Sequence, residues 1–513
     1  MASGPLRLAE LLVGLSAIAD VGMGMEQGEA ARAALLGVRL AEALGVRERA
    51  DVYYVTLLQH IGCTAYAHEA AALLGGDELA VKAAAIRTDF GSASDVILGY
   101  LPRLAPGSGG LTRVRVAVTA ATRARQIVAG YSRANCEVAA RTAARVGLGP
   151  GIGRGLLDIY EQWDGKGGPR RVRGEAIAET ARIAQVACMA ALFDRIGGIT
   201  AATSAVSGRA GRALDPSVAA AFCTEAGAML GELSGADVLP AAVGAEPGPA
   251  VMVSGADLDD VCRAFGDAVD LKSPWLHGHS TAVGELAGAA ATAAGLGPAQ
   301  AATLRRAGYL HDIGRAAVPN LIWAKPAALT SSEAEQVRLH AYYGERIIGR
   351  CPPLAPVAAL AGRHHERLDG SGYHRQSRAP ELSPAARILA AADAYQAMTQ
   401  PRPHRAALAA GAAAAQLRAE ARAGRLDADA VRAVLAAAGL PGGARRAWPA
   451  GLTERQVEVL RLVAGGLSNP QIAAALVVSR RTAEHHVQDV YAKIGVSSRA
   501  SAALFAMEHG ILP

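Results

Sequence analysis

The sequence predicts an all-α protein made of two related helical bundles and a C-terminal four-helix domain. Hydrophobic residues make up 51% of the 513-residue chain and aromatic residues only 4%, a composition that indicates a folded, alanine-rich protein. Apolar alanine-rich stretches with charged residues on one side favour helices, and the alternating Val/Ile/Thr-rich runs typical of strands are scarce. A chain this long exceeds the size at which one hydrophobic core stops growing, so several domains are expected.

Two Pro/Gly-rich stretches divide the chain, because such segments are typical of connectors. The predicted parts are a first bundle at 1–235, a linker at 236–264, a second bundle at 265–438, a linker at 439–447 and a C-terminal domain at 448–513.

Cysteine usage and hydropathy predict a cytoplasmic protein without a membrane partner. The six cysteines are scattered, with no Cys-x-x-Cys pair, which indicates reduced thiols and no structural zinc. The N-terminus lacks the pattern of a signal peptide, and apolar runs such as 286–296 are too short to span a bilayer. The net charge of +6 permits contact with nucleic acid but does not by itself argue for it.

Histidines cluster in the second bundle. None occurs between His68 and His277, whereas eight lie from His277 to His404. A lone histidine on a helix is more often a surface or core residue than a ligand, but that explanation is weak for a whole cluster. Imidazole suits Zn, Fe and Mn, and carboxylates can bridge two ions. The candidate metal ligands are His279, His311, Asp312, His340, His364, His365 and Asp393.

The adjacent pair His311 and Asp312 restricts how the ligands are used. Neighbours on a helix point about 100° apart, so the pair can serve one ion only near a helix end, or Asp312 can bridge two ions. Gly314 is a candidate helix terminator directly after the pair.

These residues resemble the HD superfamily of metal-dependent phosphohydrolases, and specifically the HD-GYP type. The resemblance covers roughly residues 265–435, and the combined pattern is far more specific than a His-Asp dipeptide. The matching residues are His279-Ser280, His311-Asp312-Ile313-Gly314, Lys325-Pro326, Leu329-Thr330, His340, Gly344, His364-His365-Glu366, Asp369-Gly370-Ser371-Gly372-Tyr373, Asp393 and Arg402-Pro403-His404-Arg405.

The resemblance implies a two-metal centre of divalent transition-metal ions, Fe, Mn or Zn. One ion would be held by His279, His311, Asp312 and Asp393, and the other by Asp312, His340, His364 and His365. Asp312 and Arg315 are the implied catalytic residues. The implied substrate contacts are Arg315, Lys325, Asp369, Gly370, Gly372 and Tyr373. Members of this type hydrolyse cyclic di-GMP, the leading substrate here, with another nucleotide or phosphate ester as the alternative.

Three departures from the family pattern bear on the substrate more than on the metals. The name-giving Gly-Tyr-Pro reads Gly372-Tyr373-His374. Arg315 stands where many members have lysine, and arginine binds phosphate through a planar fork instead of a point charge. Trp275 stands where some members have a glutamate that supports a third ion, so two ions are expected.

The first bundle resembles a degenerate HD-like copy of the second, without the metal ligands. The segment 161–169 parallels 366–374, and the gapless alignment extends from Asn135 to Cys188. A repeat is the economical interpretation of such self-similarity, with chance similarity of two Ala-rich blocks as the alternative. The residues at the ligand positions are then Glu29, Gln59, His60, Asn135, Ile159, Tyr160 and Cys188.

The C-terminal domain carries a helix-turn-helix pattern. Thr453 and Ser468 each precede a glutamine at the third following position, as in capping boxes, and Ser479 is a candidate N-cap of the next helix. The segment resembles the LuxR-type DNA-binding domain through Leu452-Thr453, Gly466-Leu467-Ser468-Asn469, Ile472-Ala473, Ser479, Thr482, His486-Val487, Lys493-Ile494-Gly495-Val496 and Arg499.

Double-stranded DNA is therefore an expected partner. The second helix of such a motif enters the major groove by its N-terminal residues, and a solvated helix face is the alternative explanation for any single arginine. The candidate DNA contacts are Arg480, Arg481, Thr482, His485, Gln488, Lys493 and Arg499.

Two functions follow from the combination of domains. The leading hypothesis is a transcription regulator whose metal domain hydrolyses a nucleotide or cyclic dinucleotide. The alternative is a non-catalytic LuxR-type regulator whose HD domains bind metal or nucleotide, or mediate dimerisation. A homodimer is expected in both cases, because helix-turn-helix proteins commonly read paired half-sites.

Overall fold

The protein is built almost entirely from α-helices, as predicted. The structure, a computed structural model, describes residues 6–74, 77–104, 109–234, 237–439 and 448–512. In these ranges the named strands are β1 (Leu6–Arg7) and β2 (Met252–Val253), which form one short antiparallel pair. The chain divides into an N-terminal unit, Pro5–Ser254 with Pro319–Leu321, and a C-terminal unit that contains Gly255–Val318 and Ile322–Pro513.

The N-terminal unit has its core between α3, α4, α9 and α10, around residues such as Leu36, Val186 and Phe222. A long helix, α7, packs against α8. The helices of this unit are α1 (Leu8–Leu15), α2 (Ala17–Gly22), α3 (Glu29–Ala43), α4 (Arg49–Leu58), α5 (Ala67–Leu74), α6 (Glu78–Ala85), α7 (Gly110–Arg145), α8 (Pro150–Asp158), α9 (Glu179–Ser207), α10 (Pro216–Leu233) and α11 (Val238–Gly244).

The C-terminal unit begins with a bundle in which α13 packs against α14, α18 and α20. The bundle helices are α12 (Ala256–Asp270), α13 (His279–Ala293), α14 (Pro298–Leu310), α16 (Ser331–Ile348), α17 (Ala355–Ala361), α18 (Pro384–Thr399), α19 (Ala410–Arg422) and α20 (Ala428–Ala438). The short helix α15 (Asn320–Trp323) has residues in both units. Four further helices form the C-terminal domain: α21 (Glu454–Ala464), α22 (Asn469–Leu476), α23 (Arg480–Ile494) and α24 (Arg499–Glu508).

Of the two predicted linkers, the first contains secondary structure and the second lies almost entirely outside the described residues. The segment 236–264 contains α11, β2 and the first residues of α12, because its Pro/Gly-rich part is shorter than the composition suggested. The segment 439–447 lies outside the described residues, except for Gly439.

Among the described helices, α9 is long and apolar enough to cross a membrane by length and composition. Its backbone is non-helical at Gly197 and Gly198. Residues of its first half, including Ile183, Val186 and Ala190, are buried in the core shared with α3 and α10. Burial in that core accounts for the apolar character of this half of α9.

Matching local structure occurs in the two bundles. α3 and α13 both have 15 residues and follow a glycine with positive φ, Gly28 at 102° and Gly278 at 77°. An aspartate ties the start of each helix: Asp20 accepts from the N–H groups of Gly28 and Ala30, and Asp270 accepts from Ser280.

Later elements match as well. Arg182 donates to the Ile177 carbonyl and pairs with Asp215. The gapless alignment pairs Arg182 with Arg387 and Ile177 with Leu382, and these two residues make the same contact. Arg387 donates to the Leu382 carbonyl and pairs with Asp427. These correspondences support the predicted repeat, whose common origin stays a prediction.

Candidate functional site

The seven predicted ligands converge on one buried centre in the bundle of the C-terminal unit. The potential ligands form two groups, and within each group the ligand atoms lie within 4.8 Å of one another. The first group is His279, His311 and Asp312, and the second is Asp312, His340, His364 and His365. Asp312 belongs to both groups. Asp393 joins them, with Oδ1 3.4 Å from His279 Nε2 and Oδ2 3.4 Å from His365 Nδ1.

The ends of helices position these side chains. His279 is the first residue of α13, and the positive φ of Gly278 turns the chain into that helix. α14 ends at Leu310, so His311 and Asp312 lie at a helix end. Asp312 can therefore share an ion with His311, which keeps both predicted arrangements of this pair possible.

Gly314 does not terminate α14, contrary to the expectation from the sequence. It lies in the 3-10 turn Ile313–Ala317, four residues after Leu310, the last residue of α14. A Cβ at this position would overlap the carbonyl oxygen of His340 on α16. Glycine is required there because the turn approaches α16 closely.

Hydrogen bonds at Nδ1 fix four of the five imidazoles. His311 and His364 donate from Nδ1 to the carbonyls of Gly308 at 2.7 Å and Ala361 at 2.6 Å. His340 Nδ1 contacts the Val337 carbonyl, and His279 Nδ1 lies 2.9 Å from Gln400 Oε1. An occupied Nδ1 leaves Nε2 free to face the centre, which is the usual support for a metal-binding histidine.

The polar atoms at the centre fit a metal ion. His279 Nε2, His311 Nε2 and both carboxylate oxygens of Asp312 are buried and make no hydrogen bond within the described part of the chain. Buried polar groups are normally hydrogen-bonded. A convergent set of imidazole nitrogens and carboxylate oxygens left in this way is the donor set expected of a divalent transition-metal site.

The electrostatics also favour ligation by His279, His364 and Asp312, whereas His311 would have to release a proton when it binds an ion. Burial lowers the pKa of His279 and of His364 to about 4, so both imidazoles are neutral near pH 7. Burial opposes ionisation of Asp312, but the neighbouring Arg315 and His311 hold the pKa of this carboxyl well below its usual range. For His311, burial lowers the pKa, and the Asp312 charge outweighs it and raises the pKa to about 9.

The predicted substrate residues are placed at different distances from the centre. Arg315 Nε lies 2.7 Å from Asp312 Oδ2, and its guanidinium stacks on Trp323 at 4.2 Å from the ring centroid. The Tyr373 ring lies 4.6 Å from that of His365. Lys325 instead forms an ion pair with Glu333, 2.6 Å away.

Asp369, Gly370 and Gly372 shape the loop that carries Tyr373. Asp369 is exposed and accepts hydrogen bonds from the N–H and hydroxyl groups of Ser371. Gly370 has φ +82°, and a Cβ on Gly372 would lie 2.5 Å from the His365 carbonyl oxygen. In the structure, these contacts make Asp369, Gly370 and Gly372 residues that determine the conformation of the loop.

The C-terminal domain has the predicted helix-turn-helix. The Thr453 and Ser468 capping boxes form as predicted, and Ser479 caps α23 by accepting from the Thr482 N–H. Val477, with φ +55°, makes the turn between α22 and α23.

Most candidate DNA residues lie exposed on α23, and five of the seven already have partners. Arg480 pairs with Glu484, Lys493 donates to Gln456, and Arg499 donates to the Leu467 carbonyl and to Asn469. Thr482 contacts the Ser479 hydroxyl and His485 lies 3.7 Å from Asp489. Arg481 and Gln488 are exposed without a side-chain bond in the described ranges.

The two family matches coincide with these two regions. A family described as "HD domain" matches residues 263–430, and one described as "Bacterial regulatory proteins, luxR family" matches residues 450–506. The chain carries an HD domain followed by a LuxR-type domain, and it is homologous to HD-GYP-type phosphodiesterases.

Relatives of this HD protein include named cyclic-dinucleotide enzymes. The 3'3'-cGAMP-specific phosphodiesterase 3 of Vibrio cholerae is 29% identical over 413 residues, covering 80% of this chain and 90% of that protein. The cyclic di-GMP phosphodiesterase of Thermotoga maritima is 38% identical over 131 residues, covering 25% of this chain and 36% of that protein. A crystal structure of a V. cholerae cyclic GMP-AMP-specific phosphodiesterase matches with a TM-score of 0.57 and 25% identity, covering 86% of this chain and 99% of that one.

Sequence reasoning about the HD domain did not name Gln400, and it gave no supporting role to Arg402 or Glu366. Gln400 accepts from the His279 imidazole, and Arg402 donates to Gln400 at 3.3 Å and to the Trp275 carbonyl. Glu366 accepts from the N–H groups of Arg375 and Ser377 and so holds the loop after His365. The position of Glu366 in the His-His-Glu motif was a usable signal, whereas the contact of Gln400 joins residues far apart in sequence.

The LuxR-type domain rests on the turn that precedes His279. His277 contacts the Ala464 carbonyl at the end of α21, and Gly466 approaches Pro274 so closely that a Cβ would lie 2.6 Å from the proline ring. α12 also contacts α24. The segment that carries a predicted metal ligand is thus also the contact surface of the LuxR-type domain.

Proposed function

We propose that this chain is a transcription regulator whose HD domain hydrolyses a phosphodiester bond of a cyclic dinucleotide with two divalent metal ions. The observation that carries the proposal is the position of Asp312, shared by the His279/His311 group and the His340/His364/His365 group. A buried carboxylate that lies between two sets of imidazoles suits a pair of ions better than a single one.

The bound ions, Arg315 and Tyr373 each have a proposed part in the reaction. Ions bound there supply Lewis acidity at the phosphate oxygens and activate the attacking water. Arg315, held between Asp312 and Trp323, presents a fixed guanidinium to a phosphate oxygen. Tyr373 borders His365 and would contact the ribose or base of the substrate.

Two cyclic dinucleotides are candidate substrates. Cyclic di-GMP is the one implied by the HD-GYP resemblance, and the Thermotoga relative carries that activity in its name. 3'3'-cGAMP is supported by the Vibrio relative, because the similarity to it extends over 90% of its length. The Gly372-Tyr373-His374 loop is the place where this chain departs from the Gly-Tyr-Pro pattern.

The LuxR-type domain is proposed to bind double-stranded DNA as a homodimer. Its α23 presents the exposed side chains of Arg481, His485 and Gln488, which suits base contacts in the major groove. The contact of this domain with the turn before His279 supports a link between nucleotide turnover and DNA binding.

Replacement of Asp312 by alanine tests the proposal. We expect both metals to be lost and hydrolysis of cyclic di-GMP and 3'3'-cGAMP to fall by at least about 100-fold. Metal content and nucleotide cleavage are measured together. Asp260→Ala, an exposed carboxylate on α12, is the control that should leave both unchanged.

Purified wild-type protein that holds no Mn, Fe or Zn and cleaves neither nucleotide would refute the enzymatic function. Metal-loaded protein that cleaves neither nucleotide, but whose DNA affinity changes when a nucleotide is added, would instead establish the alternative, a non-catalytic regulator that binds the nucleotide.

A further inference from the structure

The N-terminal unit contains a cavity of about 220 Å³ at the place that corresponds to the metal centre. Of the seven residues that the predicted repeat puts at ligand positions, Asn135 is not among the lining residues. The other six all line this one cavity: Glu29, Gln59, His60, Ile159, Tyr160 and Cys188. Under the predicted repeat, the N-terminal unit has a concave site at the matching place but different residues at the ligand positions.

The replacements remove the chemistry needed for metal ions. The Gln59 amide contacts the Cys188 sulfur, His60 Nδ1 lies 3.2 Å from the Tyr160 hydroxyl, and Asn135 donates to the Gln59 carbonyl. These contacts engage Gln59, His60 and the Asn135 amide N–H, and within the described residues they leave Asn135 Oδ1 without a hydrogen-bond partner. The described residues of the N-terminal unit contain no cluster suited to metal binding.

The cavity also lacks the charge that a phosphate would need. No lysine or arginine is found among its described lining residues. Burial lowers the pKa of His60 to about 4 and raises that of Cys188 to about 12, so both groups are uncharged near pH 7. A phosphate monoester or diester would therefore enter without a counter-charge, which is costly in a buried site.

Size and wall chemistry indicate what the cavity can hold. An apolar cavity of about 150 Å³ holds benzene, so 220 Å³ suits a somewhat larger ring system. The apolar part of the wall comes from residues such as Ala30, Ala33, Ile159 and Leu192. Flat rings gain contact area with such walls without losing rotatable bonds.

Two carboxyl groups supply acceptors at the cavity. Glu161 is 1% exposed, and its Oε1 accepts from the N–H groups of Arg170 and Arg171. Its Oε2 is buried without a hydrogen-bond partner in the described part of the chain. Glu29 is also buried and pairs with Arg195 through one oxygen. A buried acceptor of this kind favours a ligand that brings an N–H donor.

We propose that this cavity binds an uncharged heteroaromatic ring with N–H donors along one edge, the chemical class of the purine bases. The walls hold the ring, and the Glu161 carboxyl accepts from its donor edge. The site binds the ligand without hydrolysing it, because no ion or nucleophile is aimed at a phosphorus atom. The inference does not depend on the function proposed for the HD domain.

Titration of full-length protein with 2-aminopurine, whose fluorescence reports binding, tests the proposal. We expect saturable binding and at least tenfold weaker binding of unsubstituted purine, which lacks the exocyclic amine. Cys188→Phe fills the cavity and should weaken 2-aminopurine binding at least tenfold, whereas Cys188→Ala should preserve it. Met189→Trp is a second filling variant, used if the circular dichroism of Cys188→Phe departs from the wild-type spectrum.

Asp312→Asn separates this cavity from the metal centre, because it alters only the HD site. Binding of 2-aminopurine that survives Asp312→Asn and is lost on filling the cavity supports the proposal. Absence of saturable binding at millimolar probe, equal binding of purine, or binding that is lost in Asp312→Asn and kept in the filled variants overturns it.

Discussion

At the scale of single residues, the candidate metal centre depends on which nitrogen each histidine presents. Three imidazoles donate Nδ1 to a backbone carbonyl three residues earlier. His279 does not use that device: it is the first residue of α13, and Gly278, with positive φ, turns the chain directly before it. Its Nδ1 uses the Gln400 side chain instead. Gln400 is therefore a positioning residue for one ligand of the centre.

Gln400→Ala should lower metal affinity by about 10–100-fold, the usual effect of removing such a supporting partner. Hydrolysis should fall at limiting metal and recover when metal is added in excess. Gln400→Glu keeps the acceptor and serves as the matched control. Metal titration of the three proteins checks this, and equal affinities would show that His279 is oriented by other contacts.

Exposed and engaged arginines of the LuxR-type domain should respond differently to truncation. Arg481 has no side-chain bond within the described ranges, so Arg481→Ala should weaken DNA binding and reduce the salt dependence by about one unit of slope. Thermal stability should not change. The measurement is DNA affinity against salt concentration, with the exposed Arg432→Ala on α20 as a control for lost positive charge.

Arg499→Ala should instead destabilise the domain, by about 1–3 kcal/mol, because the Leu467 carbonyl and the Asn469 side chain lose their donor. A melting temperature equal to that of the wild type, together with weaker DNA binding, would show that Arg499 contacts DNA, as the sequence predicts.

At the scale of elements, the turn of the helix-turn-helix carries a costly residue. Val477 is 90% exposed and has φ +55°. An L-residue in this left-handed region costs about 1–2 kcal/mol, and a β-branched side chain is especially unsuited to it. The packing of α22 against α23 sets the geometry of the turn, so Val477 has to adopt the left-handed backbone conformation.

Val477→Asn should raise the free energy of unfolding by about 1 kcal/mol, because asparagine tolerates the left-handed conformation. Val114→Asn is the matched control: Val114 is also exposed but lies within α7, and no gain is expected there. Urea denaturation of the full chain compares the variants. Equal changes at both positions would show that the gain comes from removing exposed apolar surface.

At the scale of the whole molecule, two units of similar local structure differ in the side chains that gather at the sites matched by the predicted repeat. The C-terminal unit gathers imidazoles and carboxylates, whereas the N-terminal unit gathers groups that hydrogen-bond one another around a cavity. Ligand binding to a folded state stabilises it in proportion to the logarithm of ligand concentration over Kd. Metal should therefore act on one unit only.

Hydrogen exchange of the full chain with and without Mn²⁺ should show this selectivity. Added metal should slow exchange in α13, α16 and α18, which carry ligands, and leave α3 and α9 unchanged. Treatment with a chelator should reverse the protection. Equal protection of α3 and α9 would mean that the N-terminal unit also responds to the metal.

Local sequence determined much of this protein. Helix starts at Thr453, Ser468 and Ser479 were predictable because a capping side chain bonds to a backbone group within three residues. The seven-residue ligand set was recognisable because its residue types and order are specific, and the all-α class followed from composition and periodicity.

Tertiary structure alone decided the rest, because those features depend on contacts between residues far apart in the chain. The Gln400 bond to His279 and the contact of Gly314 with α16 are of this kind. So is the engagement of Arg499 with Leu467 and Asn469. No local pattern encodes such pairings, since they arise only when packing brings separate helices together.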